Sequence, residues 1–268
     1  MNKTKVQIKE ICRDLAAEYN ALDAIISELT EQQWEKVTPF YEWTIQDEIT
    51  HIAYFDERAG LSADNPDAFV HHFNELMQNF KLWNEKTLTP DLDLSIADLL
   101  AWWRKERENL LVMLKEKRPK DRLPWYGPTM GAISMAAARI MEVWAHGHDV
   151  CDALNIQRPA TDRLRHIAHI GIITFGWSFS NRKLAVPETP VRVELKSPGN
   201  DIWTWGPKDA EQIVKGSAEG FCQVVTQRRN VADTDIKTTG NIAAKWMQIA
   251  QAFAGPPENG PAPGQTTK

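Results

Sequence analysis

Apolar residues recur every three or four positions through the first two thirds of the chain, and this spacing is the strongest constraint on its fold. It predicts amphipathic helices, because an α-helix turns once in about 3.6 residues and brings such positions onto one face. The predicted helical segments are 5–29, 29–37, 45–61, 65–86, 95–117 and 130–155. Together they favour an N-terminal all-α domain built as a four-helix bundle.

Several segments carry the end signals of helices. Thr44 and Ser95 each precede a helical pattern as N-cap residues, and Pro66 falls in a first turn, where its missing N–H costs least. The segment 118–130 contains three prolines and a glycine, so we expect a long loop there, of the kind that often carries function.

The pattern changes near residue 159. One more helix is predicted over 161–182, followed by a β-hairpin around 197–200, a strand near 211–217 and two further helices. The fold class is therefore α+β, with a helical domain over 1–158, and a linker helix with a small α+β domain over 159–255. The proline- and glycine-rich end, 256–268, is predicted to be a disordered tail.

Composition narrows the classes of function. The net charge of −5 and the sequence pI near 5.8 provide no basic field for a nucleic acid. No segment has the run of about 18 apolar residues that a membrane span needs. The cysteines, Cys12, Cys151 and Cys222, form no pair in sequence, which is typical of a reducing compartment. A soluble, cytoplasmic protein is expected, and the oligomeric state stays open.

Charged and imidazole groups interrupt the apolar helix 130–155. Glu142 and His146 are four residues apart and lie on one face, about 40° from each other. Asp149 shares that face, whereas His148 is about 200° from His146. The pair is either a simple hydrogen bond or half of a metal site, and the apolar residues around it favour the second reading, because buried charges need a partner or a metal.

A third ligand would come from another helix, and His51 is the best candidate. It lies mid-helix among apolar residues, with Asp47 and Glu48 placed to orient its ring or to add an oxygen ligand. His166 and His169, three residues apart, form a weaker rival cluster. Eleven tryptophans are explained mostly by packing.

Two of the segments named above resemble known motifs. WTIQDEITHI (43–52) and RIMEVWAHGHDV (139–150) resemble the metal motifs of the DinB-like superfamily, and more closely those of its mycothiol-dependent maleylpyruvate isomerase branch. The resemblance covers residues 5–156. It implies a bundle that holds a divalent metal, usually zinc, through His51, Glu142 and His146, with Asp149 behind the ligands.

The same resemblance extends to the rest of the chain. Residues 190–255 are similar to the small sterol-carrier-like α+β domain that accompanies this bundle. It implies that an arginine near the TQRR segment assists substrate binding, and Arg228 and Arg229 both fit this place.

The resulting hypothesis is a thiol-dependent isomerase or S-transferase. The metal would activate a low-molecular-weight thiol, which adds to an electrophilic small molecule. Trp125, Tyr126 and Trp144 would form the walls of the pocket, and Arg228 or Arg229 would bind a substrate carboxylate. The thiol is open among mycothiol, glutathione and bacillithiol, and a reaction without any thiol is open as well. The alternatives are a non-catalytic metal-binding protein and a small-molecule-binding protein.

Overall fold

A computed structural model describes residues 3–78, 83–84, 89–90 and 92–265 of the chain. They divide into two compact units, Met1–Ile156 (unit 1) and Gln157–Lys268 (unit 2). The sequence places this boundary after residue 158. No helix within the described ranges combines the length and the apolar character that crossing a bilayer would require.

Unit 1 is a four-helix bundle. Its long helices are α1 (Lys3–Ile26), α3 (Ile45–Asp64), α5 (Ile96–Glu116) and α6 (Ala132–Leu154), with the short α2 (Glu31–Trp34) and α4 (Pro66–Gln78) between them. Both α1 and α3 pack against both α5 and α6. The predicted fold class, α+β with a helical bundle first, is confirmed.

Unit 1 is not the purely α-helical domain that the sequence predicted, because two of the connections between its helices contain short β-ladders. Two-residue ladders pair β1 (Trp83–Asn84) with β2 (Thr89–Pro90), and β3 (Arg122–Leu123) with β4 (Met130–Gly131). The helix predicted over 65–86 is described only to Gln78, where α4 ends. Residues 79–82 and 85–86 of that prediction lie outside the described residues.

The helix starts follow the local signals. The Thr44 hydroxyl accepts from the Asp47 N–H, and the Thr44 N–H donates to the Asp47 carboxylate, which together form a capping box at the start of α3. The hydroxyl of Ser95 accepts from the Asp98 N–H at the start of α5. Side-chain oxygens satisfy N–H groups here that have no partner inside the helix.

A buried ion pair joins three helices in the core of the bundle. Arg139 Nε on α6 donates to Asp56 Oδ1 on α3 at 2.8 Å, and the Tyr19 hydroxyl on α1 donates to the same oxygen at 2.6 Å. Burial raises the pKa of Asp56, and Arg139 and Tyr19 partly offset this effect. Because a buried charge is costly without a partner, this network favours one relative placement of the three helices.

Unit 2 contains one four-stranded sheet with helices. Its helices are α7 (Leu164–Ile173), α8 (Phe175–Ser180), α9 (Ala218–Val225) and α10 (Asn241–Ile249), and its strands are β5 (Val191–Lys196), β6 (Ile202–Trp205), β7 (Gln212–Ser217) and β8 (Lys237–Thr239). The strand order is β6-β5-β7-β8. The predicted hairpin is the antiparallel β5–β6 pair, whereas β7 runs parallel to β5 and β8 antiparallel to β7.

The helix predicted over 161–182 is divided into α7 and α8 at Thr174. The Thr174 hydroxyl donates to the Ile170 carbonyl at 2.8 Å and to the Gly171 carbonyl at 3.0 Å. A threonine hydroxyl bonded in this way competes with the backbone ladder and bends a helix. The period of apolar residues continues across the break, so the pattern alone does not show it.

The chain end also has a defined path in its described part. The sequence predicts a disordered tail over 256–268. Over 256–265 the structure has no helix or strand, but the Gln227 amide donates to the Glu258 carbonyl at 2.7 Å and the Asn230 amide donates to the Pro261 carbonyl at 2.9 Å. Side-chain amides of unit 2 thus satisfy backbone groups of this segment.

Candidate metal centre

Three predicted ligand groups meet between α3 and α6. One donor atom from each of His51, Glu142 and His146 lies within 4.8 Å of the others. His146 Nε2 is 3.3 Å from Glu142 Oε2, and the imidazole rings of His51 and His146 have centroids 4.7 Å apart. Because α3 and α6 pack against each other, side chains that are about 90 residues apart in sequence become neighbours.

Glu48 orients one of these imidazoles from behind. His146 Nδ1 donates to Glu48 Oε2 at 2.6 Å, and the Thr38 hydroxyl donates to Glu48 Oε1 at 2.6 Å. A metal bound at His146 Nε2, the atom that faces Glu142, would leave the ring proton on Nδ1, where Glu48 accepts it. The sequence analysis predicted that Glu48 orients His51, its neighbour on the same helix. The contact of Glu48 with His146 joins two helices, and residue spacing within one helix does not reveal it.

The carboxylates around His146 differ strongly in acidity. Burial works to raise the pKa of Glu142, but the hydrogen bond and charge of His146 and the charges of Arg139 and His51 outweigh it and lower that pKa to about 2. Burial and the nearby charge of Asp149 raise the pKa of Glu48 to about 7. Glu142 is therefore an anion at neutral pH and faces the two imidazoles, which is the arrangement a cation requires.

A second group of donors shares His146. It consists of Glu48, His146 and Asp149, which are all buried, and Asp149 Oδ2 is 3.9 Å from His146 Nδ1. Nδ1 already donates to Glu48, so this group serves better as a hydrogen-bonding support. His51 and Glu142 keep partial exposure, with 24% of the Glu142 side chain accessible, and this leaves access for a further ligand.

Aromatic rings enclose the two histidines. Trp43 stacks on His146 with ring centroids 5.7 Å apart and an interplanar angle of 5°, and Phe40 meets His146 edge-on at 5.2 Å. Trp43 and Phe55 contact the ring of His51 at 5.1 and 4.6 Å. The sequence did not single out Phe40, Trp43 or Phe55. The available signal was that Trp43 is the first residue of the 43–52 motif and that Phe55 follows this motif by three residues.

The predicted pocket walls fall in two places. Trp125 and Tyr126 pack against Phe55, with ring centroids 6.2 and 5.6 Å apart, and Phe55 in turn contacts His51. Trp144 stacks on His148 at 5.2 Å. Position 144 lies about 200° around the helix from positions 142 and 146. The structure thus brings Trp125 and Tyr126 toward the donor cluster and places Trp144 against His148.

The candidate substrate arginines lie in unit 2, just after α9. Arg228 is 6% exposed, and its Nη1 donates to the Thr226 carbonyl at 2.9 Å. Arg229 Nη1 donates to the Arg228 carbonyl at 2.8 Å. The structure therefore assigns these two arginines and the donor cluster to different compact units. His166 and His169 belong to no group of three donors in the described ranges.

Unit 2 also contains an apolar cavity of about 260 Å³. Ile172, Phe175, Val193 and Trp246 are among the residues that line it, and Glu188 stands in its lining as well. The indole N–H of Trp246 is buried and has no hydrogen-bond partner among the described residues. A small apolar molecule fits such a lining.

Comparison with known proteins gives two matches to family models. Residues 15–151, just over half of the chain, match the mycothiol maleylpyruvate isomerase N-terminal domain, and this range contains His51, Glu142 and His146. Residues 187–236 match a model described as wyosine base formation. An uncharacterized protein of Mycobacterium tuberculosis, found in two strains, is 43% identical over 247 residues, which are 92% of this chain and 96% of that protein.

Solved structures show the same fold. Crystal structures of the mycothiol-dependent maleylpyruvate isomerase and of a histidine-to-alanine mutant of it match with TM-scores of 0.52 and 0.54. Each covers 86% of this chain and 92% of the matched chain at 17% identity, a level at which the likeness concerns the fold. With the match over residues 15–151, the chain belongs to the family of the mycothiol maleylpyruvate isomerase N-terminal domain.

Proposed function

We propose that this chain is a metal-dependent isomerase or S-transferase that uses a low-molecular-weight thiol. The observation that carries the proposal is the convergence of donor atoms from His51, Glu142 and His146 within 4.8 Å, in a chain of this family. The fold neighbour is a mycothiol-dependent maleylpyruvate isomerase, which supports a thiol and a small electrophile as the reaction partners.

The donor set fits a divalent metal. Two imidazoles and one carboxylate are the ligands of many catalytic zinc sites, which keep a fourth position open. Such an ion, when bound, lowers the pKa of a coordinated thiol so that the nucleophilic thiolate exists at neutral pH. Zinc is the first candidate, although imidazole and carboxylate also suit other divalent metals.

The residues of this chain have separate tasks in the proposal. His51, Glu142 and His146 bind the ion, and Glu48 keeps the proton of His146 on Nδ1, away from the metal side. Asp149 supports the same imidazole. The rings of Phe40, Trp43 and Phe55 cover part of the two imidazoles, and this apolar surrounding strengthens electrostatic interactions at the centre.

Metal content is the first test. Inductively coupled plasma mass spectrometry of the purified protein should find about one equivalent of a divalent metal, and His51→Ala and His146→Ala should each lose it. His71→Ala is the matched control, because His71 is exposed and pairs with Glu75 on the surface of α4. Full metal content in the His51→Ala and His146→Ala proteins would reject the proposed ligand set.

Thiol binding is the second test. In the cobalt-substituted protein, a thiolate ligand gives a ligand-to-metal charge-transfer band that metal-bound water does not give. Titration with mycothiol, glutathione and bacillithiol should produce this band with at least one of them. Maleylpyruvate, in the presence of that thiol, is then the first electrophile to assay. A bound metal with no thiol band would instead support the non-catalytic metal-binding alternative.

The apolar cavity of unit 2 favours a second candidate, a small-molecule-binding function. Its lining is mainly apolar, and Trp246 contributes to it. Native mass spectrometry of the purified protein should then show a co-purifying small molecule. A Val193→Trp substitution, which fills the cavity, should release it, and an unliganded mass for the unaltered protein would argue against this function.

A further inference from the structure

A second polar group of side chains lies on the same side of α3 as His51. His51, Phe55 and Arg58 follow one another at spacings of four and three residues, so Arg58 is within about 20° of His51 around the helix and about 10 Å farther along it. These three side chains are partly exposed, whereas Ile52, Ala53, Tyr54 and Asp56, which lie between them in sequence, are buried. Arg58 therefore belongs to the accessible side of α3 that carries the donor cluster.

One N–H donor of Arg58 has no hydrogen-bond acceptor among the described residues. Its Nε–H is buried and has no acceptor in the part of the chain that the structure describes. Its Nη2 pairs with Glu57, and the guanidinium lies over the ring of Tyr54 at 5.2 Å. A buried N–H of a charged group without an acceptor is costly, so the hydrogen bonds within the protein leave this guanidinium incompletely satisfied, and part of its side chain is open to a further acceptor.

Glu57 fixes the guanidinium without satisfying it. The indole N–H of Trp102 on α5 donates to Glu57 Oε2 at 2.9 Å, and the other carboxylate oxygen pairs with Arg58. An arginine has five N–H donors, and one carboxylate oxygen uses only part of them. The orientation of Arg58 is thus set by the protein before any ligand binds, which lowers the entropy cost of binding.

Hydroxyl and imidazole groups surround the same position. The Tyr54 and Tyr126 hydroxyls lie 3.3 and 3.1 Å from His72 Nε2. The Ser62 hydroxyl donates to the Pro124 carbonyl at 2.6 Å and ties the segment of Tyr126 to α3. Burial and the charge of Arg58 lower the pKa of His72, so this ring is neutral at pH 7 and Arg58 supplies the positive charge.

We infer that Arg58, supported by Tyr54, Tyr126 and His72, binds a carboxylate of the small molecule that reacts at the donor cluster. A planar carboxylate accepts from an arginine in a directed, charge-assisted geometry, which a neutral amide does not reproduce. The inference rests on the proposed function for the reaction, and it places recognition of the acid within unit 1. The carboxylate belongs either to the electrophile or to the thiol.

Isothermal titration calorimetry on the purified full chain tests this site. Maleate and its uncharged diamide, maleamide, are the paired probes for the electrophile, and 3-mercaptopropionate and its uncharged amide, 3-mercaptopropionamide, are those for the thiol. The unaltered protein should prefer the acid of at least one pair. Arg58→Gln should weaken binding of that acid by about tenfold or more, as expected for a lost charge-assisted hydrogen bond, and leave the neutral probe unchanged.

Further variants separate charge, geometry and folding. Arg58→Lys keeps the charge without the planar donors and should give an intermediate loss of affinity for the acid. Tyr126→Phe should weaken binding of the acid by a smaller factor than Arg58→Gln does. Arg13→Gln, which alters an exposed arginine of α1, should have no effect. Loss of preference for maleate assigns the site to the electrophile, and loss of preference for mercaptopropionate assigns it to the thiol.

Two results would overturn the inference. One is equal acid affinity in the unaltered protein, Arg58→Gln and Tyr126→Phe. The other is a loss that appears in Arg228→Gln or Arg229→Gln but not in Arg58→Gln. Metal content, measured on the same samples, distinguishes failure of the proposed function from failure of this site. If the purified protein contains no metal but Arg58→Gln still removes its preference for the acid, the proposed reaction is refuted and the carboxylate site is not.

Discussion

At the scale of single residues, His146 is the group of the centre whose two ring nitrogens both have a carboxylate neighbour. Its Nε2 lies 3.3 Å from Glu142, and its Nδ1 donates to Glu48, which also accepts from Thr38. A carboxylate behind a ligating histidine sets its tautomer, fixes its orientation and raises its basicity. The contribution of Glu48 is therefore testable apart from the ligands themselves.

We expect Glu48→Gln to weaken metal binding by about 10- to 100-fold, the usual effect of removing such a supporting carboxylate. The neutral amide accepts a weaker hydrogen bond from His146 Nδ1 than the carboxylate does. Competition with a chromophoric chelator measures the dissociation constant. Glu35→Gln, at an exposed position of unit 1, serves as the control, and equal constants for the two variants would show that Glu48 does not support the site.

At the scale of elements, ion pairs join helices that the sequence cannot pair. Asp23 on α1 accepts from Arg104 Nη2 at 2.7 Å and from Arg107 Nη2 at 2.6 Å, and both arginines lie on α5. Burial works to raise the pKa of Asp23, but the hydrogen bonds from Arg104 and Ser27 and the charge of Arg107 outweigh it and lower the pKa.

The contact between α1 and α5 should therefore depend on pH. Because the folded-state pKa of Asp23 lies below the unfolded value of about 3.9, its carboxylate stabilises the fold above pH 4, and this contribution is lost as the pH falls through the folded-state pKa. We expect Asp23→Asn to cost about 1–2 kcal/mol at pH 7 in urea unfolding. The difference should shrink at pH 3. Asp64→Asn, at an exposed site, should show little effect at either pH, and a constant difference for Asp23→Asn would contradict the pKa argument.

Packing between α7 and α9 in unit 2 leads to a second prediction at this scale. A Cβ at Gly171 would lie 2.9 Å from two Val225 methyl carbons and 3.0 Å from Phe221, whereas one at Gly176 would be 3.6 Å from Val186. Gly171→Ala should destabilise the protein by about 1–3 kcal/mol through overpacking. Gly176→Ala should be neutral or stabilising, because alanine favours a helix. Thermal unfolding of the two variants compares them, and a more stable Gly171→Ala protein would show that the two helices separate readily.

Features that depend on neighbours close in sequence were predictable, whereas contacts between distant segments of the chain were not. The caps at Thr44 and Ser95 and the spacing of Glu142 and His146 depend on neighbours within one turn, and the structure has both caps and the pair. The role of Glu48 depends on the packing of α3 against α6, and the break at Thr174 depends on a hydroxyl rotamer. Neither follows from the period of apolar residues, which describes faces and not partners.

At the scale of the whole molecule, the two units carry different chemistry. Unit 1 contains the donor cluster, the rings around it and Arg58. Unit 2 contains Arg228, Arg229 and the apolar cavity. In unit 2, β5 and β7 pair in parallel. The alternating pattern of apolar residues could not predict this direction, because a strand has the same periodicity beside a parallel or an antiparallel neighbour.

Because the candidate ligands lie on α3 and α6, removal of the proposed metal should loosen unit 1 first. A bound ion stabilises the folded state in proportion to the free energy of its binding, and chelation removes that contribution. Hydrogen exchange followed by mass spectrometry, with and without a chelator, should therefore show faster exchange in peptides of α3 and α6 and little change in β5 and β7. The His146→Ala protein should already exchange at the faster rate and should not respond to the chelator. A response of equal size in the unit 2 strands, or a chelator response that persists in His146→Ala, would place the bound metal outside the cluster of His51, Glu142 and His146.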